Sequence, residues 1–399
     1  MNPERNIILF TSDCYSEDRN ATLIGSELRK LISLDKKLDG TKIMGASLVS
    51  EGEEYKKRGF EVIASSYLPP SGGFSTQSLR GFFQDLISGS FSIPKKFVSS
   101  MKTQKDKIRL AFVVGDVFLL YLTRKALKKT NIPILFYIHS KTDYIQPHYW
   151  IEEWYIRKAA SAVFARDELT ASNLRSKGIN SYYFGSVIMD ELNPVNFDLE
   201  LNPIFPTIGI LPGTRGEAVE NLMLILNVLE LLSTERSFNF IVALVNSITD
   251  EMIISKASKN GWTLKVNDDK KLSFLEKGKI KVTLARGAFV NVVIASEVLI
   301  GLSGAGNEQA VGLGKPVVSF VGTGPQTTKR RFIEQEKLLG GSMKFIKDYP
   351  YGVVQEVLDL INNPVERERR GRIGIERMGP SGGARKIAKF VYENYLKKV

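Results

Sequence analysis

The stretch SGAGNEQAVGLGKPVVSF, Ser303 to Phe320, decides the fold of this chain. An apolar run before it, Val298-Leu299-Ile300-Gly301-Leu302, predicts a buried strand. Small residues then make a turn, and a short helix opens at Asn307. Gly314-Lys315-Pro316 closes that helix, and Val317-Val318-Ser319-Phe320 reads as the next strand. A strand, a Gly turn and a helix N-terminus bring free backbone N–H groups and a positive dipole end to one point, a ready anion site. Glu308 falls in the first turn of that helix, within reach of sugar hydroxyls if phosphates lie on the turn. A diphosphate cradle beside a ribose-gripping carboxylate suits a nucleotide sugar, with Ser303, Gly304, Asn307, Glu308 and Gln309 as donor-site candidates. Such a turn also serves packing alone in many α/β folds, and a first-turn Glu also serves the helix dipole.

A second element of the same kind lies earlier. Pro206 to Leu211 predicts a strand, Pro212-Gly213-Thr214-Arg215-Gly216-Glu217 a tight turn, and the spacing of Val219, Leu222, Met223, Leu226 and Leu229 a helix. Thr214 is placed to cap that helix. Arg215 brings a planar fork suited to phosphate oxygens. Two such turns, each ending a parallel strand, make Gly213, Thr214 and Arg215 a further part of the donor site.

Charge and composition narrow the classes. The chain has 399 residues, 43% hydrophobic and 25% charged, enough for two full cores. With one cysteine, Cys14, it has no internal disulfide, and with two histidines a His/Cys metal centre is not expected. No run approaches the roughly twenty apolar residues of a membrane span. MNPERNIILF lacks the apolar core of a signal peptide, so a cytoplasmic chain is expected, free or peripheral on the inner face of the membrane. The net charge of +12 asks for an anionic partner. Zinc-finger spacing and RNA-binding aromatic signatures are absent, so anionic lipid or a nucleoside diphosphate is expected rather than nucleic acid.

Strands and helices alternate from end to end, which predicts parallel sheets. Strands are expected at 7–11, 42–48, 61–64, 108–114, 134–138, 162–165 and 182–185. In the second half they are expected at 207–211, 239–244, 263–265, 280–284, 298–301, 317–320 and 343–346. The clearest early helices are 21–32, 117–128, 151–160 and 168–177. The fold class is therefore α/β, with two doubly wound, Rossmann-like domains and an interdomain cleft. The expected domains are 1–190 on the acceptor side and 207–378 for the nucleotide sugar. A Pro-rich linker at 191–206 joins them, and a last helix within 379–399 packs back on the first domain.

Three further groups stand out. The first strand runs into Thr11-Ser12-Asp13-Cys14-Tyr15-Ser16-Glu17-Asp18, ahead of a helix expected to begin near Arg19; Asp18 is placed to cap that helix, and Glu17 and Asp18 are assigned to the acceptor side. Asp116, just past a buried strand, is placed either to cap a helix or to deprotonate an acceptor hydroxyl. His139, followed by Asp143, is a second acid/base candidate. Between Leu68 and Lys107 the loop Pro69-Pro70-Ser71-Gly72-Gly73 puts Ser71, Gly72 and Gly73 on the acceptor side. It precedes an amphipathic run with Leu79, Phe82, Phe83 and Leu86 on one helical face. Lys95, Lys96 and Lys102 flank that run, and Phe91 to Phe97 is the part expected to touch a membrane.

These motifs carry a family resemblance along nearly the whole chain. LPPSGGFSTQSLRGFFQDLISG (68–89), VVGDVFLL (113–120), VFARDELTASNLRSKGI (163–179), LPGTRGEA (211–218) and NEQAVGLGKPVVSFVGTGPQ (307–326) resemble the lipid-A-disaccharide-synthase-related proteins. Those are relatives of lipid-A-disaccharide synthase among the GT-B glycosyltransferases. The resemblance implies a UDP-sugar donor held mainly by the second domain, no metal and no further cofactor. It implies Gly213 and Arg215 at the diphosphate, Glu308 at the ribose with Gly304 and Gln309 beside it, and Asp116 as base. Relatives carry Gly and His before the Glu-Asp pair where this chain has Tyr15-Ser16.

The resulting expectation is an inverting transfer of a hexose or N-acetylhexosamine from UDP to a lipid or lipid-linked sugar. A UDP-sugar 2-epimerase on the same scaffold and a non-catalytic nucleotide-sugar or lipid-surface binding protein are the alternatives.

Overall fold

The computed structural model describes residues 5–66, 92–267 and 272–397. The chain divides into two compact units, 1–190 with 381–399, and 191–380.

In the first unit, among the described residues, seven parallel strands lie in the order β3-β2-β1-β4-β5-β6-β7. They are β1 (Ile7–Ser12), β2 (Lys42–Ser47), β3 (Glu61–Ala64), β4 (Ile108–Gly115), β5 (Ile134–Ile138), β6 (Ala162–Ala165) and β7 (Ser181–Tyr182). The central strands read as unbroken apolar runs because helices cover both faces of the sheet. Helices α3 (Ile93–Gln104), α4 (Val117–Ala126), α5 (Trp150–Ala159) and α6 (Glu168–Ser176) bury Phe97, Leu120, Ile156 and Leu174 on one face. On the other face lie α1 (Tyr15–Ser33), α2 (Glu53–Lys57) and α14 (Gly383–Val391), contributing Ile24, Tyr55 and Ile387. The chain's return to this unit is pinned where Asp190 accepts a hydrogen bond from the Ala384 N–H at 2.8 Å and Arg109 reaches the Leu396 carbonyl at 3.1 Å.

Phe97, expected at a membrane, is buried in this core, because α3 turns Ile93, Phe97, Val98 and Met101 inward together. Phe91 and the loop residues Ser71, Gly72 and Gly73 lie outside the described residues.

The second unit has its own sheet, with strand order β10-β11-β12-β9-β8-β13-β14-β15. The strands are β8 (Thr207–Leu211), β9 (Asn239–Leu244), β10 (Thr263–Asn267), β11 (Leu272–Lys277), β12 (Ile280–Arg286), β13 (Val298–Gly301), β14 (Val317–Ser319) and β15 (Met343–Phe345). Helices α7 (Ala218–Glu235), α8 (Asp250–Ala257), α9 (Phe289–Ala295), α10 (Ala305–Gly312), α11 (Lys329–Leu339), α12 (Tyr351–Asn362) and α13 (Pro364–Met378) complete it. This sheet departs from the all-parallel expectation. β10, β11 and β12 pair antiparallel, and only then does β12 join β9 in parallel. The reason is local. Lys277 pairs with Ile280 across a two-residue turn, and Gly278 opens that turn at φ +59°, as a type II′ hairpin requires.

In both sheets connections leave in opposite directions at one gap, between β1 and β4 in the first and between β8 and β13 in the second. Ligands of open α/β sheets bind beyond the carboxyl ends of the strands at such a switch point.

Candidate active site

At the first switch point, β1 and β4 run side by side with Ser12 opposite Val114. Asp13 and Asp116 are the first carboxylates past the two strand ends. A Cβ on Gly115 would lie 3.4 Å from the Asp13 Cβ, which places Asp13 in contact distance of the β4 terminus. Burial, then the charges of Asp116, Glu17 and Asp18, push the Asp13 carboxyl up to about 8. Burial also raises Asp116, opposed by the N–H groups of Leu119 and Phe118 at the start of α4. Asp116 caps that helix, accepting from Leu119 N–H at 2.9 Å. Its capping and acid/base readings are therefore compatible. The cap bond favours the carboxylate, while burial and then the charge of Glu17 hold the group at a raised proton affinity.

The segment after β1 differs from its expected form. The helix begins at Tyr15 rather than near Arg19, so Glu17 and Asp18 sit in its first turn, where the dipole favours them. Asp18 is not an N-cap and faces no open space. It is 1% exposed and accepts from Ser12 at 2.6 Å, from Ser47 at 2.8 Å and from Ser50, tying β1 to β2. Glu17 accepts from the Cys14 thiol at 2.8 Å and from Ser16 at 2.7 Å. Burial and Glu17 push the Cys14 thiol well up, so the sulfur holds its proton.

His139, just past β5, joins this group. Asn20 Nδ2 donates to His139 Nδ1 at 2.8 Å, which leaves the ring proton on Nε2, 3.9 Å from Glu17 Oε1. Asp143 does not join it. Its Oδ1 stands 3.5 Å from His148 Nδ1 and its Oδ2 accepts from Asn173 at 2.6 Å.

The second switch point is built from backbone and neutral amides. The two Gly turns are neighbours, since Gly301 of β13 pairs with Leu211 of β8 and Leu302 N–H donates to Leu211 O at 2.7 Å. Gly213 has φ +104°, and a Cβ there would lie 3.2 Å from Leu302 O, so both conformation and space require glycine. Thr214 does not cap α7. That helix starts at Ala218, whose N–H donates to Arg215 O at 2.9 Å, and Glu217 holds the cap position without a side-chain bond. Thr214 and Arg215 are exposed on the turn.

At the other turn, Gly304 precedes α10 and is open, Ser303 and Glu308 are half-buried, and Gln309 is buried. Asn307 presents no side chain to a ligand. It is fully buried, with Nδ2 within 3.0–3.3 Å of Gly301 O, Ser319 Oγ and Gln335 Oε1. Gln335 Nε2 in turn reaches Gly304 O at 2.9 Å. A Cβ on Gly301 would come within 2.1 Å of Asn307 Oδ1, so that glycine makes room for the amide. Asn307 therefore fixes the turn from beneath.

Four participants were not singled out by the sequence. Asp13 stood among generic polar residues, although its place at a strand end was visible. Asn20 and Ser50 depend on partners remote in sequence. Asn221 ties the Gly213 turn to the loop after β14: its Nδ2 donates to Pro212 O at 3.2 Å and its Oδ1 accepts from Thr323 N–H at 2.8 Å. An Asn on the apolar face of α7 was the available signal.

Among the described residues no group of three His, Cys, Asp or Glu side chains is arranged to hold a metal ion, and no helix is long and apolar enough to cross a membrane.

No protein-family model and no curated protein matches the chain. Solved structures do. UDP-GlcNAc 2-epimerase from Neisseria meningitidis, bound to UDP-GlcNAc, superposes with TM-score 0.56 at 19% identity, over 98% of this chain and 100% of that one. The glycotransferase of kitacinnamycin gives TM-score 0.62 at 12% identity, over 98% and 100%. MurG from Acinetobacter baumannii gives TM-score 0.57 at 12% identity, over 97% and 99%. The chain thus has the GT-B fold, two α/β units with largely parallel sheets, the fold of these glycosyltransferase and epimerase structures.

Proposed function

We propose that the protein is an inverting glycosyltransferase that moves a hexose or N-acetylhexosamine from UDP to a lipid or lipid-linked sugar, in kinship with the lipid-A-disaccharide-synthase-related proteins. One observation carries the reading: each sheet's switch point coincides with one half of the required chemistry. The second unit supplies the donor half. Arg215 and the backbone at Gly213 and Gly304 take the diphosphate, Glu308 takes the ribose hydroxyls, and Ser303 and Gln309 lie beside them. The leaving UDP gains negative charge as the anomeric bond breaks. Fixed N–H groups and a guanidinium stabilise that charge without reorganising.

The first unit supplies the acid/base half. Asp116 removes the proton of the acceptor hydroxyl as its oxygen attacks the anomeric carbon. Asp13 holds the shared proton of the carboxylate pair, and His139 and Glu17 complete the polar wall. The UDP-GlcNAc bound to the Neisseria meningitidis epimerase of like fold supports a UDP-sugar ligand.

One observation favours a second reading. Asp13, Glu17, Asp18 and Asp116 form a denser carboxylate group than a single deprotonation requires, and epimerisation at C2 needs both a base and an acid. Calorimetric titration with UDP, UDP-N-acetylglucosamine and UDP-glucose, without metal, tests the donor class. Binding that is lost in Glu308→Ala supports it, and no binding of any of the three overturns it. Incubation of UDP-N-acetylglucosamine alone in D2O separates the two reactions. Deuterium at C2 without any acceptor means epimerase, and its absence leaves transfer.

A further inference from the structure

Large apolar side chains exposed on a folded protein are informative when they cluster. In the first unit Phe118 and Tyr121 of α4, Tyr149, and Trp150, Ile151 and Trp154 of α5 are all exposed, Trp150 by 76%. They form one surface. Phe118 and Tyr121 rings lie 6.5 Å apart, and Tyr121 lies 6.1 Å from Tyr155, which joins α4 to α5. Within α5, Trp150 and Trp154 are one turn apart on one face.

Cations border this surface. Arg124 and Lys125 on α4 and Arg157 and Lys158 on α5 are exposed. Lys158 Nζ stands 4.3 Å from the Trp154 ring centroid, and Lys141 Nζ 4.5 Å from that of Tyr149. On the acidic side, Glu152 is tied to Lys141 at 2.6 Å, which leaves Glu153.

We propose that this α4–α5 face docks the protein on an anionic phospholipid bilayer. Tryptophan and tyrosine suit the headgroup level because each has an apolar body and a polar edge. Arginine and lysine alongside suit lipid phosphates, and the whole chain's charge of +12 acts in the same direction. A two-fold contact with a second copy would set Arg157 and Lys158 against like charges, which disfavours that occupant. Nucleic acid would use the cations and the rings, but gives no reason for exposed Ile151 beside them. The proposal extends the lipid-acceptor reading by naming the surface that meets lipid. It also moves the membrane contact away from the buried Phe97.

The test is sedimentation of the full chain with phosphatidylcholine vesicles containing roughly one third phosphatidylglycerol, against pure phosphatidylcholine. Tryptophan emission is followed in parallel. The third tryptophan, Trp262, is 2% exposed in the other unit, so an emission change reports Trp150 and Trp154. The expected result is binding to the anionic vesicles, a blue shift, and weakening by added salt. The double variant Trp150→Ser/Trp154→Ser should partition at least about tenfold less, and Arg157→Glu/Lys158→Glu should lose the preference for anionic lipid. Both substitutions are on the surface, and circular dichroism melts confirm folding.

No sedimentation at low salt overturns the proposal, as does equal sedimentation of the tryptophan variant. So does a dimer, or binding to a single-stranded oligonucleotide, that those substitutions abolish while vesicles never bind. The assay contains no nucleotide sugar, so its failure leaves the donor reading standing, and the reverse holds.

Discussion

The two switch points of this protein are built from opposite materials. The first gathers buried carboxylates, Asp13, Glu17, Asp18 and Asp116, around one thiol and one imidazole. The second gathers glycines and neutral amides, with Asn221, Asn307 and Gln335 holding two backbone turns in place. Buried carboxylates crowded together hold protons more tightly, an arrangement that clusters at sites of proton transfer. Neutral amides beneath a glycine turn fix where N–H groups point without altering charge. Under the proposed function, proton transfer falls to the first unit and anion binding to the second.

The sharpest way to break this comparison is Asp116→Asn. Asn retains the helix cap, since its amide oxygen accepts from Leu119 N–H as the carboxylate does. Folding should therefore persist. If Asp116 is the base, UDP release from a bound UDP-sugar, with a lipid extract supplying acceptors, should fall about 10²–10⁴-fold. UDP affinity should stay as it was. A variant that keeps full turnover removes the base from Asp116, and one that loses UDP affinity breaks the division of labour.

A smaller effect separates binding from scaffolding in the second unit. Asn307→Leu replaces an amide of similar size and leaves Gln335 Oε1 without its partner. It should lower stability by about 1–3 kcal/mol, the cost of one orphaned buried polar group. UDP affinity should fall with it, although the side chain touches no ligand. Glu308→Ala should weaken UDP while leaving the urea midpoint nearly unchanged, because Glu308 is only half-buried. If the two variants behave alike in both assays, Asn307 is a ligand-facing residue and the buried placement described above is wrong.

The fold was largely legible because its signals are local. Unbroken apolar runs announced β1, β4, β5, β8 and β13, and Gly-rich turns marked the ends of β8 and β13. β11 escaped because Glu276-Lys277-Gly278-Lys279 looks like a charged loop. Only the habit of Gly at the first position of a two-residue hairpin would have exposed it. The start of α1 escaped for a related reason. Cys14 holds its N-cap without a side-chain bond, while Asp18 looks like a cap four residues on. The geometry of the candidate site was legible only in part. Arg215, Glu308 and Asp116 stand beside motifs readable in isolation. The engagement of Asp18 requires Ser47 and Ser50 from another strand and loop, and the raised proton affinity of Asp13 comes from burial in the folded unit and then from Asp116 at the end of the neighbouring strand. Neither relation has a trace in sequence spacing.

The protonation of Asp13 gives the last test and the smallest expected effect. Its carboxyl is pushed up to about 8 in the folded chain, against about 3.9 unfolded. Below pH of about 4 both states hold the proton and the residue is neutral to folding. Between about 4 and about 8 the unfolded chain releases the proton while the folded chain keeps it, so stability falls as pH rises. Above that window both are ionised and the loss is complete. At 1.36 kcal/mol per unit, the full shift sets a ceiling of roughly 6 kcal/mol. The amide of Asp13→Asn is also buried and recovers only part of that, so the expected gain is about 2 kcal/mol. The gain should be absent near pH 4 and greatest at pH 8 to 9, as urea unfolding across that range would read. A gain that is the same at every pH would mean that Asp13 is ionised in the folded state and that the carboxylates of the first unit share no proton. Its contrast with the second unit would then be one of composition only.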